Sequence, residues 1–144
     1  MAIRVRQPIK INPLDTTDKV AIGVRLPFGR KHPFVLEYST IDHAKSKLIN
    51  VLLTEPGERL NLPLFGVGLK QRLFNQQGED LQEELQSTIK TQIGLYVPEI
   101  TVKNIKFLEE NHILYLTVIY QVIANSSEDS VTLSFTNTNF ETSL

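Results

Sequence analysis

Apolar residues along this chain recur at two spacings, and the spacing switches twice. Val20, Ile22, Val24 and Leu26 alternate with small or polar residues, the period of a half-buried strand. Pro27-Phe28-Gly29-Arg30-Lys31-His32-Pro33 interrupts them as a loop, and Phe34, Leu36 and Tyr38 predict a second short extended piece. The spacing then becomes helical. Ile41, Ala44, Leu48 and Leu52 share one face, widened by Ile49 and Leu53. Thr40 is the expected N-cap, Asp42 suits the positive end of the helix dipole, and Pro56-Gly57 stops the helix. Residues Gly66–Phe74, with Leu69 and Phe74, predict two further turns, ended by Gly78. The longest helix is predicted over Glu79–Ile93, where Leu81, Leu85, Ile89 and Ile93 recur every fourth residue. Glu79, Asp80, Glu83 and Glu84 crowd its N-terminal half, and Gly94 and Pro98 end it.

The period of two then returns. Ile100 and Val102 share one parity and Ile105 and Phe107 the other, which predicts a bulge near Lys103-Asn104. Glu109-Glu110-Asn111-His112 reads as a hairpin turn. Ile113 to Ile123 is apolar on both parities, which predicts a central strand covered on both faces. After a turn at residues 125–129, Val131, Leu133 and Phe135 alternate with Thr132, Ser134 and Thr136. That pattern predicts an edge strand with one wet face. The polar tail after Asn137 is expected to fray. Residues 1–19 mix Arg, Lys, Asn and Asp with Pro8 and Pro13 and read as an extended arm. The organisation is an arm (1–19), a single domain (20–136) and a polar tail (137–144). The class is α+β: helices packed on one face of a mostly antiparallel sheet with a C-terminal β-meander.

Composition narrows the chemistry. The chain has 144 residues, enough to bury a real core, and no cysteine, which excludes disulfides, thiolate metal sites and thiol catalysis. No apolar run approaches the ~18 residues of a membrane span, and no export signal is visible. The net charge of −1 exerts no general pull toward nucleic acid or membrane. It is unevenly spread, however. Residues 1–50 hold nine Lys/Arg against four Asp/Glu, and residues 51–144 hold six against twelve.

Catalytic and ligand-binding patterns are weak. His32, His43 and His112 lie in separate elements without ligand spacing. Gly66-Val67-Gly68 begins like a dinucleotide loop, but Gln71 stands at the third glycine position. Glu55 and Glu58 flank Pro56-Gly57 without a marked acid or base partner. Arg25, Phe28, Arg30, Lys31, His32 and Phe34 form a small basic and aromatic cluster, a thin basis for nucleic-acid binding.

The most distinctive stretch is Leu53 to Leu69. It places prolines, glycines, Phe65 and an adjacent Glu58-Arg59 pair in one helix-to-helix connection. Glycine permits positive φ, proline stiffens the remainder, and Phe65 is expected to plug the core. Arg59 is long enough to bond a carboxylate or carbonyls. A plain connector and a fitting for another molecule both remain open on these residues alone.

Asn50-Val51-Leu52-Leu53-Thr54-Glu55-Pro56-Gly57-Glu58-Arg59, followed by Pro63, Phe65-Gly66, Gly68-Leu69 and Leu73-Phe74, resembles the signature of the contractile-tail baseplate wedge family. These are small wedge subunits of T-even-like phages, with relatives in type VI secretion baseplates, often labelled lysozyme-like. The resemblance spans about residues 20–135. It implies a structural subunit of a virion tail baseplate, assembled in the host cytoplasm, with no catalytic residues and no cofactor. The implied partners are other wedge proteins, through their core bundle helices, and the tail sheath protein. Nucleic acid, membrane and small-molecule substrates are not implied. Gly57, Glu58, Arg59, Pro63, Phe65, Gly66 and Pro98 would contact partners, and Val131, Leu133 and Phe135 would exchange strands with the sheath. One departure from what the resemblance implies stands out: many relatives carry Glu-Pro-Arg after the long helix, where this chain has Val97-Pro98-Glu99. The alternatives are a peptidoglycan hydrolase, as the older label suggests, and a regulatory adaptor of the same fold.

Overall fold

A computed structural model describes residues 20–26, 28–69, 72, 79–111, 113–123, 126–135 and 140–143. The arm at 1–19 lies outside the described residues. Helix α1 (Thr40–Leu53) starts one residue earlier than the sequence suggests: Ser39, not Thr40, is the N-cap. Ser39 holds an extended backbone (φ −117°, ψ 135°) and its hydroxyl accepts from the Ile41 amide at 3.2 Å, so Thr40 is free to enter the first turn. Helix α2 (Glu79–Tyr96) runs past the predicted stop, with Gly94 inside it. Nothing crowds Gly94, and continuing the helix carries the fully buried Val97 into the core, its amide bonded to Ile93 O at 2.8 Å. Burying that side chain offsets the ~1 kcal/mol that a helical glycine costs. Pro98 ends the helix, because it lacks an N–H and disfavours helical backbone at the residue before it. The helix expected at 66–74 does not start at Gly66: Gly66, Val67 and Gly68 are non-helical because they fold back onto the end of α1. Leu69 and Arg72 are helical, and residues 70, 71, 73 and 74 lie outside the described residues.

Four antiparallel strands follow in the order β3-β4-β5-β6: β3 (Ile100–Glu110), β4 (Ile113–Val122), β5 (Glu128–Phe135) and β6 (Phe140–Ser143). The parity change in β3 is a bulge: Val102 pairs with Tyr120 but Asn104 with Ile119. The β3–β4 turn places Asn111 at φ 52°, a conformation asparagine tolerates. The stripes of both helices meet the inner sheet face. Leu48, Leu52, Leu85, Ile89 and Ile93 join Ile105, Leu116, Val118, Val131, Leu133 and Phe135 in one buried cluster.

Two expectations about the sheet are corrected. β4 is central, but its second face, with Ile113, Tyr115 and Ile119, is only half-buried, since the helices cover one side alone. β5 is not the edge. The tail expected to fray supplies β6, which pairs with β5 from Thr132↔Ser143 to Phe135↔Phe140. Upstream, a small separate sheet joins β1 (Gly23–Val24) and β2 (Leu36–Glu37). The alternation over Val20–Leu26 yields this little ladder because, among the described residues, no third strand extends it.

Polar contacts tie α1 to the β-structure. Tyr120 Oη donates to Asp129 Oδ2 at 3.0 Å, and Lys45 Nζ approaches the same oxygen at 3.4 Å. Burial pushes the Asp129 carboxyl up, but the Ser130 amide, the Tyr120 hydroxyl and Lys45 outweigh it and hold the pKa below the ordinary 3.8. Burial and the bond to Asp129 push the Tyr120 phenol well above its usual range.

Leu85→Ala should cost about 2–5 kcal/mol in denaturant titration, because the side chain is buried in the seam between helix and sheet. A carboxylate with a lowered folded pKa contributes its stabilisation above 3.8 and loses it as the pH falls through the folded value. Asp129→Asn should therefore melt below the parent at neutral pH, and the two melting curves should converge in strong acid.

Candidate functional site

The distinctive connection folds back onto the end of α1. A helix leaves its last carbonyls without intrahelical donors, and here the connection supplies several. Asn50 O accepts from the Thr54 amide at 3.1 Å and from Thr54 Oγ1 at 2.7 Å. Val51 O accepts from Val67 N at 3.1 Å, and Thr54 O from Gly68 N at 3.3 Å. Within the elbow, Gly57 N donates to Pro63 O at 2.9 Å, and Glu58 turns its carboxylate back to accept from Glu55 N at 3.2 Å.

Three glycines make this path possible: Gly57 (φ 93°), Gly66 (φ 105°) and Gly68 (φ 69°). They are not equivalent. A Cβ on Gly57 would meet open space, whereas one on Gly66 would run into the Thr54 carbonyl. On Gly68 it would lie 2.9 Å from Pro56 Cδ. Gly66 is also held from α2, where Gln92 Oε1 accepts from its amide at 3.1 Å.

Phe65 plugs the core as expected and packs edge-on against Tyr96 of α2, with centroids 4.7 Å apart. Arg59, long enough to reach a carboxylate or carbonyls, meets an aromatic ring. Its guanidinium lies 3.9 Å from the Phe65 ring centroid, a cation–π contact, and it takes part in no ion pair among the described residues. The elbow thus brings together Gly57, Glu58, Arg59, Pro63, Phe65 and Gly66. Pro98 lies just beyond α2, exposed. Its neighbours serve the interior: Val97 is buried, and Glu99 Oε1 accepts from Lys47 Nζ at 2.6 Å while Glu99 O accepts from Ile123 N at 3.0 Å.

Val131, Leu133 and Phe135 occupy a different place. Their side chains point into the core, and β5 is paired on both sides over Thr132–Phe135. Sequence reasoning overlooked Leu60, Leu62 and Leu64. They project from the elbow, with Leu60 96% and Leu64 78% exposed. Their alternation with Asn61 and Pro63 is visible in the sequence, but alternation in a proline-bearing loop does not say which side faces water. Among the described residues, no group of His, Asp and Glu could hold a metal ion, and no helix is long and apolar enough to cross a membrane.

Gly57→Ala should cost about 1 kcal/mol, from positive φ alone. Gly66→Ala should cost more than ~2 kcal/mol, because the collision with Thr54 adds to the same strain. Paired denaturant titrations check the order, which equal losses would contradict.

Comparison with known proteins gives this geometry a context. No curated protein sequence matches significantly. A crystal structure of a candidate tail lysozyme from Geobacter sulfurreducens shares the fold, with a TM-score of 0.61 and 19% identity, covering 70% of this chain and 94% of that one. A chain in the six-fold symmetrised cryo-EM structure of the anti-feeding prophage baseplate aligns with a TM-score of 0.49 and 17% identity, covering 80% and 81% of the two chains. The model of the family described as baseplate wedge protein gp25 matches residues 39–127, from the cap of α1 to the turn before β5. That span includes the whole elbow and exceeds half of the chain, so this protein belongs to the gp25 baseplate wedge family.

Proposed function

We propose that this chain is a structural, non-enzymatic wedge subunit that docks through its elbow on apolar helices of neighbouring wedge proteins and presents a sheet edge to the first ring of tail sheath. The observation that carries this reading is the exposure of Leu60, Leu62 and Leu64 on a connection whose backbone is tied to α1 and α2. A connector with no other task would turn such side chains inward. Each leucine stabilises an interface by about 1.5–3 kcal/mol when fully buried, and a preformed elbow avoids much of the entropy cost of ordering a loop on binding. Glu58 and Arg59 would set the polar rim of the contact, with Pro63 stiffening it and Pro98 at its margin.

The strand contact follows from backbone chemistry. An edge strand carries unsatisfied N–H and C=O groups, and an incoming strand can satisfy them with little demand on sequence. Val131, Leu133 and Phe135 position β5 by their burial, while β6 and the uncovered start of β5 present the edge. The setting of this reading is a virion tail baseplate assembled in the host cytoplasm. Exposed Glu58 spends its carboxylate on the Glu55 amide within the elbow, and in this reading the purified chain should not degrade peptidoglycan.

Leu60→Asp combined with Leu64→Asp should leave the melting temperature of the isolated chain unchanged and abolish its incorporation into baseplates. Removing residues 137–144 should permit baseplate incorporation but yield particles without sheath, scored by electron microscopy. Normal sheathed particles from either variant would refute the corresponding contact.

A further inference from the structure

The β1–β2 hairpin is built inside out. Phe34, Leu36 and Tyr38 share one parity and all face solvent, at 74%, 49% and 53% exposure, while the charged Glu37 between them is 4% exposed. A slip of one residue would bury the three apolar side chains and expose the carboxylate. A polar network prevents that slip. Glu37 Oε1 accepts from Ser46 Oγ at 2.7 Å, and Glu37 Oε2 lies 2.9 Å from His43 Nδ1, both partners on α1. Ser46 Oγ accepts in turn from the Leu26 amide at 3.0 Å. Gly23, opposite Glu37, has no side chain because a Cβ there would strike the His43 ring. The outward apolar stripe is therefore held rigidly in place.

The hairpin loop extends the same surface. Phe28 is 58% exposed and meets Phe34 edge to face, with centroids 5.6 Å apart. Arg25, Arg30 and Lys31 of the same hairpin are exposed and make no ion pair among the described residues. Between Val20 and Ile41 the sole carboxylate is Glu37, already bonded inward. Even with exposed Asp42 of α1 counted, Arg25, Arg30 and Lys31 leave an excess of cations along this exposed apolar stripe.

We propose that this face of the hairpin is a second docking surface, separate from the elbow, for an acidic amphipathic segment of a partner protein. Positions i, i+2 and i+4 of a strand span about 13 Å, the reach of two turns of helix or four residues of extended chain. Aromatic anchors supply the buried area, and the basic rim selects partners with Asp or Glu beside their apolar residues. The chain's own first residues are a poor occupant, because Arg4, Arg6 and Lys10 repeat the charge already present. Nucleic acid fits less well, since Leu36 offers no stacking face and three fixed cations are few.

The test uses the full chain and a short fluorescent peptide in which Leu and Phe alternate with Asp and Glu. Anisotropy should show saturable binding that weakens with salt, and the same peptide with Lys and Arg for Asp and Glu should not bind. Phe34→Ser, and separately Arg30→Glu with Lys31→Glu, should weaken binding roughly tenfold while melting temperatures stay unchanged. The Leu60→Asp, Leu64→Asp variant should bind as the parent does, which separates this surface from the elbow. Absence of saturable binding by the full chain overturns the proposal. Binding that emerges only after removal of residues 1–19 overturns it in favour of the arm as occupant. Tighter binding of single-stranded oligothymidine, lost in the same variants, overturns it in favour of nucleic acid.

Discussion

The return of the elbow onto the last turn of α1 is the constraint from which the rest of this structure follows. The end of any helix leaves carbonyls in need of donors, and here Val67 and Gly68 provide them. That closure requires backbone to touch backbone at Gly66, which no residue with a Cβ permits. Once the chain is pinned there, Phe65 has one place to go, against Tyr96 of α2, and the two helices are coupled. The same closure leaves Leu60, Leu62 and Leu64 outside. One geometric requirement thus both completes the core and presents the surface proposed for docking.

Helices on a single side of the sheet have a further consequence. The inner face is closed by the stripes of α1 and α2, while the outer face of β4 is left half-covered. Apolar exposure elsewhere is concentrated on the elbow and the β1–β2 hairpin. Monomeric proteins seldom leave several large apolar side chains adjacent in water, and a subunit destined for a larger assembly has reason to do so. Membership of a baseplate wedge family agrees with that distribution.

Several charged side chains serve as clips between elements. Lys45 reaches Asp129 on β5, Lys47 reaches Glu99 beyond α2, and Glu37 holds the hairpin against α1. Partly exposed pairs of this kind contribute little energy singly, yet they select one arrangement among several that bury similar area. After Pro98 this chain carries the carboxylate of Glu99, and α1 presents Lys47 to it. The Val97-Pro98-Glu99 corner is thereby enlisted in internal packing.

Much of this was legible in the residues themselves. The stripes Leu48/Leu52 and Leu85/Ile89/Ile93 marked both helices and their buried faces, and the parity change at Lys103-Asn104 located the bulge. Those features follow from local periodicity, which chain geometry converts directly into faces. Other features depended on what the rest of the molecule supplies. Gly94 stays helical because Val97 has a core to enter, and the last residues form β6 because β5 leaves an edge open to pair. Glu37 is buried and its apolar neighbours exposed because Ser46 and His43 stand opposite it on α1, and nothing in β2 itself hints at them. Periodicity reports that two faces differ; which face meets water is decided by the partners that tertiary packing brings to each.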